Sequence, residues 1–269
     1  MEPDERLALA HDPGTPALTL IELAADPSSQ VRAVVAGRAD APAQALRPLT
    51  RDYDRDVREA VARNPATSRG NLLRLVADAD RWVRWAVAGN PGCDEQVRRA
   101  MATTADKELR GLLAELPELE PDLAEALLDD RSPEVRERLA THTQHPTVIT
   151  ALLADRTVRV RKGLALNPRT TAEQRHALAL DNAVDVRSAL VCAVELDEAD
   201  LWLLTRDRSA EVRRALATSA HTPAKIRQAL EDDPDETVAA EALRARATTT
   251  PPARPTRRGP NRFVTGPGR

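Results

Sequence analysis

A chain of 269 residues with two cysteines, 2% aromatic residues and a net charge of −3 excludes a disulfide framework, a thiol-rich metal site and a large aromatic core. Ala, Leu and Val must fill the interior. Cys93 and Cys192 stand far apart, which fits a reducing cytoplasm, and the acidic start Met-Glu-Pro-Asp-Glu-Arg leads into no apolar run that reads as a signal peptide or membrane span.

Charge is distributed unevenly. Seven arginines and no acid lie from Arg244 onward, which leaves the first 243 residues at −10. Lysine occurs only at 107, 162 and 225, and this preference for Arg, with abundant Ala, points to a GC-rich bacterial genome.

Taken in order, the chain repeats itself. Val31-Arg32, Val57-Arg58, Val83-Arg84, Val135-Arg136, Val160-Arg161, Val186-Arg187 and Val212-Arg213 recur, with Glu5-Arg6 and Leu109-Arg110 in the same slot. Every step is 26 residues except 135 to 160, which is 25. A fixed period of this size predicts one stacked array of about nine two-helix units.

Numbering each unit from its Val, position −3 is Ser, Asp or Thr in nearly every unit, a helix N-cap. Position −1 is often acidic, which suits the positive end of a helix dipole. Apolar residues at 0 and +4 and Ala at +5 form one buried stripe. Asn64-Pro65, Asn90-Pro91 and Asn167-Pro168 then stop the helix. A second helix follows. Thr15-Pro16, His145-Pro146 and Thr222-Pro223 predict its N-cap and first residue, Thr170 to Glu173 reads as a capping box, and Leu23, Leu49, Leu75, Met101, Leu127, Leu153, Leu178, Leu204 and Leu230 mark its inner face.

A polar set recurs with the same period. Asp26, Asp52, Asp78, Asp130, Asp155, Asp181 and Asp207 stand at −5, and Arg32, Arg58, Arg84, Arg110, Arg136, Arg161, Arg187 and Arg213 at +1; Thr104 alone breaks the acidic run. What every repeat shares is what stacking needs. These residues are expected to pair as a structural ladder, within or between repeats, rather than to form a phosphate-binding stripe.

The unit Asp-x4-Val-Arg-x3-Ala-x-Asn-Pro-x-Thr-Pro, followed by a Leu-rich helix, resembles the variant leucine-rich repeat family, and its Asp-to-Val-Arg part is similar to HEAT repeats. The resemblance covers roughly residues 2–247. It implies an all-α, right-handed solenoid whose second helix is α or 3₁₀. It does not bring the family's iron–sulfur cluster, because no cysteine precedes Cys93. The expected organisation is a repeat solenoid over 1–247 and a disordered Arg/Pro/Thr/Gly-rich basic tail over 248–269.

Departures from the repeat are the functional candidates. Trp82, in a slot that is usually acidic or polar, and Trp85, in a variable slot, lie on one face of a helix, flanked by Arg81 and Arg84. They are either extra core over a neighbouring repeat or an exposed contact site with cation–π potential. The fifth repeat carries an acidic connector from Glu115 to Asp122, and the eighth has Val194 to Asp197 in place of the Pro turn and Trp202 beyond it. Arg254, Arg257, Arg258 and Arg262 make the tail a candidate nucleic-acid or membrane-surface anchor, or a segment that folds back on the acidic body.

No catalytic constellation, phosphate loop, metal site or cofactor motif is legible. His142 and His145 lack the further ligands that zinc requires. The expected function is a non-enzymatic, cytoplasmic, monomeric scaffold that binds a protein or peptide along its concave face. The alternative is a nucleic-acid-associated protein anchored by its tail. A HEAT-like DNA glycosylase, with Trp82 beside Asp78 or Asp80, is a minor alternative that the acidic body disfavours.

Overall fold

The computed structural model describes residues 1–249, with side chains to Ala245. The described residues form nineteen α-helices and no strand. The fold is an α-helical repeat solenoid, and the chain divides into two compact units, Met1–Leu196 and Asp197 onward.

The first unit holds α1 (Pro3–His11), α2 (Ala17–Leu23), α3 (Ser29–Gly37), α4 (Ala43–Leu49), α5 (Arg55–Arg63), α6 (Arg69–Leu75), α7 (Arg81–Ala88) and α8 (Glu95–Ala102). It continues with α9 (Lys107–Ala114), α10 (Pro121–Leu128), α11 (Pro133–His142), α12 (Pro146–Leu152), α13 (Val158–Ala165), α14 (Ala172–Ala179) and α15 (Val184–Ala193). The second unit holds α16 (Glu198–Leu204), α17 (Ala210–Thr218), α18 (Ala224–Ala229) and α19 (Glu236–Thr249).

Odd-numbered helices carry the Val-Arg pair or the residues in its slot, and in the first unit each packs on the next odd-numbered helix. Helices this short are marginal in isolation, so stacking supplies their stability. The Val or Leu at position 0 and +4 is essentially fully buried from Val57 through Leu190. Ala10, Ala36, Ala62, Ala114, Ala140 and Ala165 at +5 are buried as well, and their small side chains let adjacent backbones approach. The backbones come close at Gly163, where an added Cβ would lie 2.9 Å from the Glu137 carbonyl oxygen. Even-numbered helices complete the core with Leu23, Leu49, Leu75, Met101 and Leu127.

Four local expectations are corrected. In α12 the buried residue is Leu152, at 1% exposure, and Leu153 is only half-buried. The residue missing from the 25-residue step comes out of the connector before α12, so the inner face shifts back by one. Thr15 does not cap α2: its hydroxyl donates to the Leu9 carbonyl at 2.5 Å, and Pro16 occupies the cap position. The capping box of α14 is Thr171 with Gln174, one residue later than the spacing predicts. Position −3 caps through its side chain where it is Asp54, Asp80, Asp106 or Ser209, whereas Ser28, Ser132 and Thr157 make no such bond. At Ser132 the hydroxyl donates to the Glu134 carboxylate instead.

One further odd-numbered helix closes the second unit. In α19, Val238 and Ala242 are buried at the 0 and +4 positions, while Ala239 stands where every earlier unit has Arg.

Candidate partner-binding site

The repeat polar residues set the frame around the candidate site. Within the first unit the repeat Arg donates to the Asp of the following repeat: Arg32 Nε to Asp52 at 2.6 Å, Arg58 to Asp78 at 2.8 Å, Arg110 to Asp130 at 2.5 Å, Arg136 to Asp155 at 2.7 Å and Arg161 to Asp181 at 2.6 Å. Arg6 reaches Asp26 at 2.6 Å in the same way, and in the second unit Arg213 reaches Asp233 at 2.7 Å. The same guanidinium turns back to its own repeat, as when Arg32 Nη1 donates to the Asp26 carbonyl at 2.7 Å. Arg187 likewise donates to the Asp181 carbonyl at 2.5 Å. The second carboxylate oxygen accepts from the amide two residues on, at 2.8 Å for Asp130 and Ser132 and at 2.8 Å for Asp207 and Ser209. Each rung thus fixes a turn, a helix start and the register of the next repeat.

Thr104, where the acidic run breaks, is bypassed. Arg84 reaches two residues further to Asp106 at 2.7 Å, and Asp106 also accepts from the Glu108 amide at 3.0 Å to cap α9.

Burial opposes ionisation of Asp130, Asp155 and Asp181, but the Arg hydrogen bond and the turn amide outweigh it, and all three carboxylates are held below their ordinary range. Asp233 is lowered chiefly by Arg213. A carboxylate whose folded pKa lies below its unfolded value stabilises the fold above the unfolded pKa and loses that contribution as pH falls through the folded one. The expected result is a melting temperature that is flat near neutrality and falls steeply below about pH 4, which thermal melts across an acid series check.

A second ladder escaped the sequence reading, which took Asn-Pro only as a helix stop. Asn64 Nδ2 donates to the Ala36 and Arg38 carbonyls, both at 2.6 Å, and Asn90 donates to Ala62 at 2.6 Å and Asn64 at 2.9 Å. Asn167 repeats the pattern on Ala140 at 2.8 Å and Thr143 at 2.9 Å. These are carbonyls left open at helix C-termini, each capped from the next repeat. Arg38 fills the slot in the second repeat, donating to Ala10 at 2.9 Å and Asp12 at 2.7 Å. The signal was present as a polar donor at +7 after a buried stripe.

The acidic connector of the fifth repeat is partnered too. Glu120 binds the guanidinium of Arg98, with Nε 3.0 Å from each carboxylate oxygen, and Asp122 meets Arg99 at 2.6 Å. His145 donates from Nε2 to the Leu119 carbonyl at 2.7 Å, which accounts for its place in the connector. In the second unit Trp202 donates to Glu198 at 3.2 Å.

The tryptophan pair stands apart from both ladders. It lies on α7, whose start is fixed when Asp80 accepts from the Trp82 amide at 2.8 Å. Trp82 is 41% exposed and Trp85 is half-buried. Their ring centroids are 4.9 Å apart at 76°, an edge-to-face pair. The Arg81 guanidinium lies 4.9 Å from the Trp82 ring centre and 5.5 Å from that of Trp85. The Trp85 indole N–H is buried and has no hydrogen-bond partner. Arg84, grouped with this cluster in the sequence, is engaged in the Asp ladder and stacks on neither ring. Asp78 is bound by Arg58 and Asp80 caps α7, so the carboxylates that a glycosylase reading needs are both engaged. The tail arginines Arg254, Arg257, Arg258 and Arg262, and the expected tail disorder, lie outside the described residues.

Comparison with known proteins follows this geometry. Residues 55–80, one full period from α5 to the start of α7, match the family model described as leucine rich repeat variant. One repeat of the chain thus resembles the leucine rich repeat variant. A solved structure described as a leucine-rich repeat variant with a novel repetitive protein structural motif is similar to it at 26% identity, covering 85% of this chain and 81% of that one, with a TM-score of 0.49. An engineered protein is similar at 16% identity, 91% and 94% coverage and a TM-score of 0.32, and a designed armadillo repeat protein at 16%, 86% and 98%, and 0.22. No curated protein matches. Among the described repeats of this chain, the Asp–Arg and Asn rungs recur, whereas the Trp pair occurs once.

Proposed function

We propose that this chain is a non-enzymatic repeat scaffold that binds a protein or peptide through Arg81, Trp82 and Trp85 on α7. The observation that carries the reading is the half-open aromatic pair with Arg81 over both rings. No other repeat places an aromatic residue in either slot, and Trp and Arg are the residues that most often dominate binding at protein interfaces. No helix of the described residues is long and apolar enough to cross a membrane.

The two rings separate binding from stability. Trp82→Ala lowers partner capture in a pull-down by about 2 kcal/mol or more of affinity, with a melting temperature within a few degrees of the parent. A large loss of melting temperature with unchanged capture would make Trp82 a core residue and sink the reading. The second reading, nucleic-acid binding through the tail, rests on the seven arginines without an acid from Arg244 onward. The same pull-down with a chain ending at 247 separates it, since tail-driven capture disappears there and weakens steeply with salt.

A further inference from the structure

The first unit contains a groove of about 460 Å³ between the outer faces of α4 and α6. Its walls are Arg47, Pro48, Thr50, Arg51, Gly70, Asn71 and Arg74. None of these is acidic. Arg47, Arg51 and Arg74 are exposed, and no carboxylate of the described residues pairs with any of them. Other arginines of the unit do meet surface carboxylates, as in Arg38–Asp40, Arg99–Glu95 and Arg138–Glu108, each at 2.8 Å. Two other grooves of the unit also contain arginines, but Asp78, Asp106 and Glu108 line one and Asp129, Asp130 and Asp155 the other.

Nor is the basic groove a by-product of the repeat. The slot of Arg51 holds Ala25, Ala77, Thr103 and Asp129 in neighbouring repeats. The Thr50 hydroxyl is turned inward to the Arg47 carbonyl at 2.8 Å, fixing the end of α4 from which Arg51 projects. Gly70 leaves the α6 wall open, since an added Cβ there would meet nothing within 4 Å. The half-buried Asn71 adds an amide on the same wall.

We infer that the Arg47–Arg51–Arg74 groove is a binding site for a short acidic peptide segment, carboxylate-rich or phosphorylated. The inference rests on the reading of the chain as a peptide-binding scaffold, and it names the chemistry of one bound segment. Three guanidiniums carry only donors and match carboxylate and phosphate oxygens in bidentate geometry. The site is small and local within a body of net charge −10. A short anionic segment neutralises it without running over acidic surface, whereas an extended nucleic acid would meet that repulsion on both sides.

The test uses the full-length chain and fluorescence anisotropy with a fluorescein-labelled Glu/Gly decapeptide, its phosphoserine/Gly counterpart, a Gln/Gly control and a single-stranded oligonucleotide. The expected result is that one or both acidic peptides bind and the Gln/Gly peptide does not, with binding that weakens in high salt. The combined Arg47→Gln, Arg51→Gln and Arg74→Gln variant loses roughly tenfold or more in affinity, while the corresponding Lys variant retains part of it and both keep the parent melting temperature. A variant with Arg254, Arg257, Arg258 and Arg262 changed to Gln keeps the groove-dependent binding. The inference is overturned if the Gln variant of the groove binds acidic peptide as the parent does, if the tail variant abolishes binding, or if the oligonucleotide alone shows the groove-dependent loss. Trp82→Ala leaves acidic-peptide binding intact, so failure of the α7 site and failure of the groove are separately visible.

Discussion

Arg110→Met lowers the unfolding free energy by about 3–5 kcal/mol, the cost of leaving a buried charge without its partner. Arg110 and Asp130 are both 5% exposed at the side chain, and the bond is bidentate, at 2.5 and 3.0 Å. Met keeps most of the volume of Arg but removes three bonds, including the one from Nη1 to the Thr104 carbonyl at 2.8 Å. The Asp130 carboxylate stays buried and keeps only the Ser132 amide. Urea unfolding followed by circular dichroism reads the global loss, and hydrogen exchange across α9 and α11 shows whether the damage is local, as expected in an array where each repeat touches only its neighbours. The control is Asp56→Ala: its ion pair with Arg55 is 70% and 47% exposed, and its removal changes stability by less than about 1 kcal/mol. A buried rung that costs no more than this exposed pair would mean the ladder sets register without stabilising the stack.

Asn90→Ala costs about 2–3 kcal/mol, because buried groups left without partners carry their full desolvation penalty. Asn90 is 3% exposed. Its amide closes the Ala62 and Asn64 carbonyls, and its oxygen accepts from the Gly92 amide at 2.7 Å. Alanine removes all three bonds and admits little water. Asn90→Asp is the sharper comparison, since it preserves the acceptor, removes both donors and brings a negative charge against two carbonyl oxygens. It is expected to cost more than the alanine change in the same urea titration. If Asn90→Asp is the milder of the two, the donors to Ala62 and Asn64 are not what holds this slot.

Much of the fold is legible in one period of sequence. Val57, Val61 and Ala62 lie on one helical stripe, and the same offsets recur across the described repeats, so the buried face needed no structure to find. The 25-residue step was legible as a missing residue but not as a place. Only the burial of Leu152 over Leu153 puts the loss in the connector before α12. The N-cap pattern was over-read at Ser28, Ser132 and Thr157. A hydroxyl there is offered several acceptors and donors at similar distance, and only packing decides among them.

The candidate sites divide the same way. Trp82 and Trp85 are visible as departures from the repeat, but their exposure is not, because an indole three residues from another can face solvent or a neighbour with equal local geometry. Arg47 on α4 and Arg51 in the turn after it are four residues apart, but Arg74 comes from α6 of the next repeat, and nothing in the spacing brings it to them. The Asn ladder was hidden behind the proline that follows Asn64, Asn90 and Asn167, and Arg38 in the same slot disguised it further.

By itself the sequence determined the helical period, the buried stripe and the pairing chemistry of Asp with Arg, because those depend on local geometry and on repetition within a few turns. The tertiary structure decided which Asp each Arg meets, that Asp106 stands in for Thr104, how Asn90 caps the preceding helix, and that three arginines share one groove. These are contacts between residues some twenty or more positions apart, and side-chain directions across stacked helices are set by packing, which no single period encodes.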